Sequence, residues 1–192
     1  ATGAITGRYD KLHLVPFGEF VPFESALPWL RDVLPPIGEF VPGQEYTVFR
    51  VGGYGAGGAG RGDLETPSPL VSRPVPPFSV LICFEDTFPD LARMFVRRGA
   101  QALITITNDA WFGPTAAAYQ HAQASTFRAV ELRVPMIRAA NTGWSGCIDS
   151  LGRWTASVRN TKSRELFIEG LTTCELAVGP SDSLYRRFGD WF

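Results

Sequence analysis

The chain has 192 residues, 45% apolar and 19% charged, which is enough for one domain with a hydrophobic core and too apolar for wholesale disorder. A net charge of −1 with scattered basic residues excludes a field that would recruit nucleic acid, and Arg97-Arg98 and Arg186-Arg187 are too short to form a basic track. Three widely spaced cysteines, Cys83, Cys147 and Cys174, with no CxxC, argue against a disulfide framework or a zinc site.

No run of about 18 apolar residues is present, so no membrane-spanning helix is expected, and no signal peptide is visible. The chain begins at Ala1 and ends on Asp190-Trp191-Phe192, and both ends read as cuts. Tyr9 to Val15 is a short extended stretch ending at Pro16. Phe17 to Leu34 mixes Phe, Trp, Leu and Pro. Its prolines exclude one long helix, but a short one from Ser25 to Val33, capped by Ser25, is expected. Residues 42–77 form a Gly/Pro-rich insertion. Its glycine run at 52–60 lacks the Lys-Ser/Thr and the helix that a phosphate-binding loop needs.

The second half is more regular. Phe78 to Cys83 and Ala102 to Thr107 are apolar runs that predict buried strands. Between them, Pro89 and Asp90 open a helix that runs to about Arg98 and stops at Gly99. Asn108 to Pro114 reads as a loop, Thr115 to Leu132 as a helix, and Pro135 to Ala140 as a third strand. Ser150-Leu151-Gly152-Arg153 signals a hairpin between Trp144–Asp149 and Trp154–Val158. Leu166 to Leu176 reads as another strand. Strand–helix–strand–helix–strand order predicts an α/β fold in one domain, with crossover helices covering the sheet.

Cys83 lies where the first strand turns into a helix, the place where open α/β sheets bind ligands. A thiol there is near backbone N–H groups and the positive end of a helix, both of which favour thiolate. The competing reading is a buried structural cysteine, and that reading is preferred for Cys147 and Cys174. Glu85 shares the turn with Cys83 and could orient a base or an amine. Lys11 could stabilise a thiolate or an oxyanion if it met the thiol. A Cys–His dyad through His13 or His121 competes with that arrangement.

At these positions the sequence resembles a known family. Tyr9-x-Lys11 followed by Leu14-Val15-Pro16-Phe17-Gly18-Glu19-Phe20-Val21-Pro22 is similar to the lysine motif of apolipoprotein N-acyltransferases, the membrane branch of the nitrilase (carbon–nitrogen hydrolase) superfamily. Cys83-Phe84-Glu85 resembles the nucleophile motif. Leu103 to Gly113, Gln120-His121, Arg128-Ala129, Pro135 through Arg138, Asn141-x-Gly143 and Ser183 to Trp191 continue the match in order.

The resemblance implies an α-β-β-α sandwich, with early strands absent here, and a Glu–Lys–Cys triad in which Lys11 and Cys83 are two members. Glu19 would match a second glutamate near the lysine, and Glu85 the acid after the nucleophile. The triad glutamate lies well upstream of the lysine in the family, and no Glu occurs among the ten residues before Lys11. The chain is therefore expected to be either the C-terminal part of the domain, inactive alone, or a degenerate relative. Tyr is usual at the position of Phe84.

The implied reaction moves a fatty acyl group from a phospholipid donor, through a cysteine thioester, to the N-terminal amine of a diacylglyceryl-cysteine lipoprotein. No cofactor or metal is implied. The implied location is the bacterial cytoplasmic (inner) membrane, with the catalytic domain on the periplasmic or extracytoplasmic side. Phe84, Asn108, Trp111, Phe20 and Trp29 are the expected substrate-contacting residues, the last two on a lipid-facing arm. The alternatives are a soluble amidase of the same superfamily and a non-catalytic remnant.

Overall fold

In the computed structural model of the protein, residues 7–23, 26, 29, 40–50, 75–179 and 182–191 are described. The expected helix at 25–33 and most of the Gly/Pro-rich stretch lie outside them. Five strands form one sheet in chain order: β1 (Phe78–Ile82), β2 (Ala102–Thr107), β3 (Met136–Ala140), β4 (Gly146–Ile148) and β5 (Trp154–Ser157). The first three run parallel, with Leu81 beside Thr105 and Thr105 beside Arg138. The last two are added antiparallel through the predicted hairpin.

Helix α1 (Pro89–Arg97) joins β1 to β2, and α2 (Ala116–Leu132) joins β2 to β3. Pro89 sits in the first turn of α1, where its missing N–H costs nothing. Thr115 caps α2 by accepting a hydrogen bond from the Ala117 N–H at 3.3 Å. A short helix absent from the sequence reading, α3 (Leu184–Phe188), follows Ser183, whose hydroxyl accepts from the Arg186 N–H. Arg93 on α1 donates to the carbonyls of Tyr185, Arg186 and Arg187, so one guanidinium ties α3 to α1.

Side chains alternate across strands, so Leu81, Leu103, Met136 and Ile148 share one face. They pack on Leu91, Phe95 and Val96 of α1 and Leu132 of α2. Each such buried residue contributes about 1.5–3 kcal/mol. The opposite face carries Val80, Ile82, Ile104 and Ile137, half-buried, and the more exposed Ile106. The described residues thus supply one sheet and its helical layer, part of the four-layer sandwich. Among them, no helix is long and apolar enough to cross a membrane.

Two sequence readings are corrected here. Leu166–Leu176 forms no strand. It is irregular backbone, and Cys174 from this segment is disulfide-bonded to Cys147 of β4. The two cysteines read as unpaired core residues are therefore a staple, and Cys83 is the free thiol. A separation of 27 residues leaves no spacing signature, so the pairing was invisible in the sequence. Closing a loop of that size restricts the unfolded chain. Cys147→Ala/Cys174→Ala is expected to lower stability by about 2–4 kcal/mol, measured by denaturant unfolding.

Candidate active site

Both parallel strands β1 and β2 end in a single 3₁₀ turn, Cys83–Thr87 after β1 and Asp109–Phe112 after β2. These turns form the carboxyl end of the sheet. Cys83 is the first residue of its turn and has φ of +54°, a left-handed conformation that a side chain other than glycine rarely adopts. Strain of that kind clusters at functional sites, and a sharp strand-to-helix turn lifts a nucleophile off the sheet. Cys83 is half-buried and forms one wall of a cleft of about 320 Å³. Among the described residues, Val15, Gly18, Glu19, Phe84, Asn108, Trp111, Phe112 and His121 also line it.

Lys11 reaches this cleft through Glu19. Its Nζ donates to both carboxylate oxygens of Glu19, at 2.6 and 2.7 Å, and Glu19 forms part of the wall. Glu19 also accepts from the Val15 N–H at 2.8 Å, which fixes the carboxylate within the Pro16–Phe20 turn. The Lys11 side chain is only 10% exposed, so the ion pair is substantially shielded from water.

Glu85 stands behind the cleft rather than in it. It is fully buried and accepts from the Leu12 N–H at 2.6 Å, the His13 N–H at 3.1 Å, the Ile82 N–H at 2.7 Å and the Tyr9 hydroxyl at 2.8 Å. Burial, together with this carboxylate, holds the Tyr9 hydroxyl far above its ordinary pKa, so it stays a donor. One side chain thus joins the segment bearing Lys11 to the turn bearing Cys83. Within the extended stretch from Tyr9 to Val15, the backbone N–H groups of Leu12 and His13 are spent on Glu85.

Asn108 caps the second turn by accepting from the Ala110 N–H, and its side-chain oxygen also accepts from Asn141. Trp111 is 79% exposed at the mouth of the cleft. Phe84 is exposed in the cleft lining and meets Phe88 edge-on, with ring centroids 5.1 Å apart. Phe20 and Trp29 are exposed, and neither is among the described residues lining the cleft.

Neither histidine is placed to act as a base for Cys83. His13 is stacked on Phe88 with ring centroids 4.5 Å apart. His121 lines the cleft, but both its nitrogens face carboxylates: Nδ1 is 2.8 Å from Asp109 and Nε2 is 3.0 Å from Asp86. Burial alone would lower its pKa. The hydrogen bond to Asp109 and the nearby Asp86 carboxylate outweigh burial and raise it to about 9, so the ring is an imidazolium at neutral pH and accepts no proton.

Sequence reasoning missed the cluster around His121. Arg138 on β3 donates to Asp86 at 2.6 Å and to Asp109 at 3.0 Å, and Ser125 donates to Asp86 at 2.6 Å. Asp86, Asp109 and Arg138 are fully buried. Gly143 makes room for them, since a Cβ there would fall 1.9 Å from Asp109 Oδ2. An arginine inside an apolar strand was the available signal, because a buried guanidinium demands buried acids.

The layout is that of an α/β protein presenting a thiol at the carboxyl end of a parallel strand. The family described as carbon-nitrogen hydrolase matches residues 1–172, and the chain belongs to that family. It is 41% identical over 190 residues to an apolipoprotein N-acyltransferase of Geobacter metallireducens, covering 99% of this chain and 31% of the relative. It is 37% identical over 188 residues to an apolipoprotein N-acyltransferase of Rhodopseudomonas palustris, covering 98% and 30%. The chain therefore spans about three tenths of the length of these curated relatives. The NitN amidase of Neterenkonia sp. AN1 matches with a TM-score of 0.47 at 20% identity, over 80% of this chain and 47% of that one.

Proposed function

We propose that the protein is an N-acyltransferase that moves a fatty acyl group from a phospholipid to the N-terminal amine of a lipoprotein through a thioester on Cys83. The observation that carries the reading is the free thiol on a positive-φ turn, in one cleft with the carboxylate that holds Lys11. Relatives named apolipoprotein N-acyltransferase match nearly the whole chain and supply the substrate class.

In this reading the Cys83 thiolate attacks the ester carbonyl of the phospholipid. The carbon–sulfur bond forms, the ester carbon–oxygen bond breaks, and the lysophospholipid leaves with a proton. The α-amine of the diacylglyceryl-cysteine then attacks the thioester, releases the thiol and keeps the acyl group as an amide. Lys11 supplies positive charge for the tetrahedral oxyanion, where a preorganised charge is worth most. Proton transfer belongs to the general base, which the family resemblance gives to a glutamate on an earlier strand. Glu19 holds Lys11, and Glu85 holds the lysine segment against the nucleophile turn. Phe84, Asn108 and Trp111 contact the substrate, and residues 1–192 belong to one catalytic domain with a Gly/Pro-rich insertion at about 42–77.

The segment that follows the cleft-lining Val15 suits a lipid surface. Phe17, Phe20, Phe23 and Trp29 are exposed there, with Phe23 at 77%, and an apolar arm of this kind enters a lipid interface. The Cys147–Cys174 disulfide supports an oxidising, extracytoplasmic position at the cytoplasmic membrane.

The test uses the full-length protein with vesicles of phospholipid carrying a labelled acyl chain. The wild type should acquire label that hydroxylamine releases, as a thioester requires, and Cys83→Ala should acquire none. Hydroxylamine-sensitive label retained on Cys83→Ala, or none on the wild type, would overturn the proposal.

A further inference from the structure

Three elements that build the cleft meet again beneath it. Asp86 lies three residues after Cys83 in the first 3₁₀ turn. Asp109 opens the second turn, which carries Trp111 and Phe112. His121 is on α2, and its ring contacts Phe112 edge-on with centroids 5.5 Å apart. All three converge on Arg138 of β3, which donates to both acids.

Two carboxylates face one guanidinium and one imidazole here. The buried group is electrically neutral only when His121 carries a proton, and an uncompensated charge in such a place is costly. The groups facing the ring are Asp86 from the first turn, Asp109 from the second and Arg138 from β3. On its own helix, Ser125 donates to Asp86. Arg128 donates to the Asp86 carbonyl and pairs with Glu131. Glu19 lines the same cleft from the lysine side.

We propose that His121, as the cation between Asp86 and Asp109, is a positioning residue that sets the turn bearing Cys83 against the loop bearing Trp111 and Phe112. Removing the charge lets the two acids repel and draws the turns apart. The thiol then no longer sits at its distance from the cleft wall, and a displacement near 1 Å can cost about a hundredfold in rate. The inference rests on the acyl-transfer reading only for its catalytic consequence, because the placement of the thiol is measurable without acyl transfer.

The test compares wild type, His121→Gln and His121→Gln/Asp109→Asn in the full-length protein. The single variant leaves one buried negative charge unbalanced, and the double variant restores neutrality without a histidine. Two readouts are needed: alkylation of Cys83 by iodoacetamide, and kcat and KM for acyl transfer. The single variant should slow alkylation and kcat by about tenfold or more with KM nearly unchanged, and the double variant should recover most of both. The ratio of wild-type to single-variant alkylation rates should fall as pH rises past about 9, where the wild type loses the same proton.

A folded His121→Gln that alkylates at the wild-type rate would overturn the inference. So would a folded double variant that stays slow. If His121→Gln fails to fold, the double variant decides alone: a rate near wild type supports the inference and a slow one overturns it. A wild type whose alkylation responds to His121 but which never forms an acyl thioester would sink the acyl-transfer reading and leave this one standing.

Discussion

Full-length protein carrying Glu85→Gln is expected to lose covalent acyl capture by about a hundredfold while keeping its fold. The substitution preserves shape but replaces a carboxylate oxygen with an NH₂ group, and every partner of Glu85 is a donor. The amide nitrogen must then oppose either the backbone N–H groups of Leu12 and His13 or that of Ile82. Hydrogen bonds to a charged acceptor contribute about 1.5–3 kcal/mol each, and a buried donor left without a partner costs a similar amount. The 9–13 segment should shift before the sheet does, because its polar attachment runs through this residue and only Tyr9 and Leu12 pack on the core that holds β1 to β3 together. The rate of hydroxylamine-sensitive labelling, read beside a melting curve, separates the two. Labelling within twofold of wild type would show that Glu85 does not hold the lysine segment.

Arg138→Leu is expected to cost about 3–5 kcal/mol of stability, the range for breaking a buried ion pair from one side. The leucine fits the apolar strand, but Asp86 and Asp109 lose their shared guanidinium. His121 remains as their only cation among the described residues. Denaturant unfolding measures the loss. Its dependence on pH follows from the shifts. The pKa of His121 is raised from 6.5 to about 9, so its stabilisation is complete below 6.5 and disappears as pH rises through about 9. Asp109 is shifted the other way: burial would raise its pKa, but the hydrogen bond from His121 and the charge of Arg138 lower it. Its contribution is present above 3.8 and is lost as pH falls through the lowered value. Wild-type stability should therefore decline at both ends, and Arg138→Leu should be weakest at alkaline pH, where both cations are gone.

The elements visible in the sequence were those with local signals. The runs at Phe78–Ile82 and Ala102–Thr107 are long enough and apolar enough to be strands by themselves. Pro89 and Thr115 mark helix starts that the backbone follows within one residue. Ser150 to Arg153 closes a hairpin through the carboxylate of Asp149, which accepts from the Leu151 and Arg153 N–H groups. The pieces without a local signal take their shape from distant partners. Leu166–Leu176 has strand composition but is tied by Cys174, and Tyr9–Val15 spends its N–H groups on a side chain more than seventy positions away.

The site divides along the same line. Residue types and the resemblance pointed to Cys83, Lys11, Glu19 and Glu85 from local motifs. The division of labour between the two glutamates was hidden, because only the fold shows that one faces the cleft and the other is sealed behind it. The partners of His121 were hidden for a related reason. Asp86, Asp109 and Arg138 come from three different elements, and no short window of sequence contains them together.

The separation between residues 9–13 and Glu85 also bears on how the molecule assembles. A contact across more than seventy positions forms only after a large loop has closed, whereas β1, α1 and β2 can build from near neighbours. The segment bearing Lys11 is thus docked against the Cys83 turn late, and a half-folded chain presents its free thiol before that segment is in place. The cleft and the completed fold therefore arrive together, because Val15, Gly18 and Glu19, which line it, follow directly on the late-docking residues.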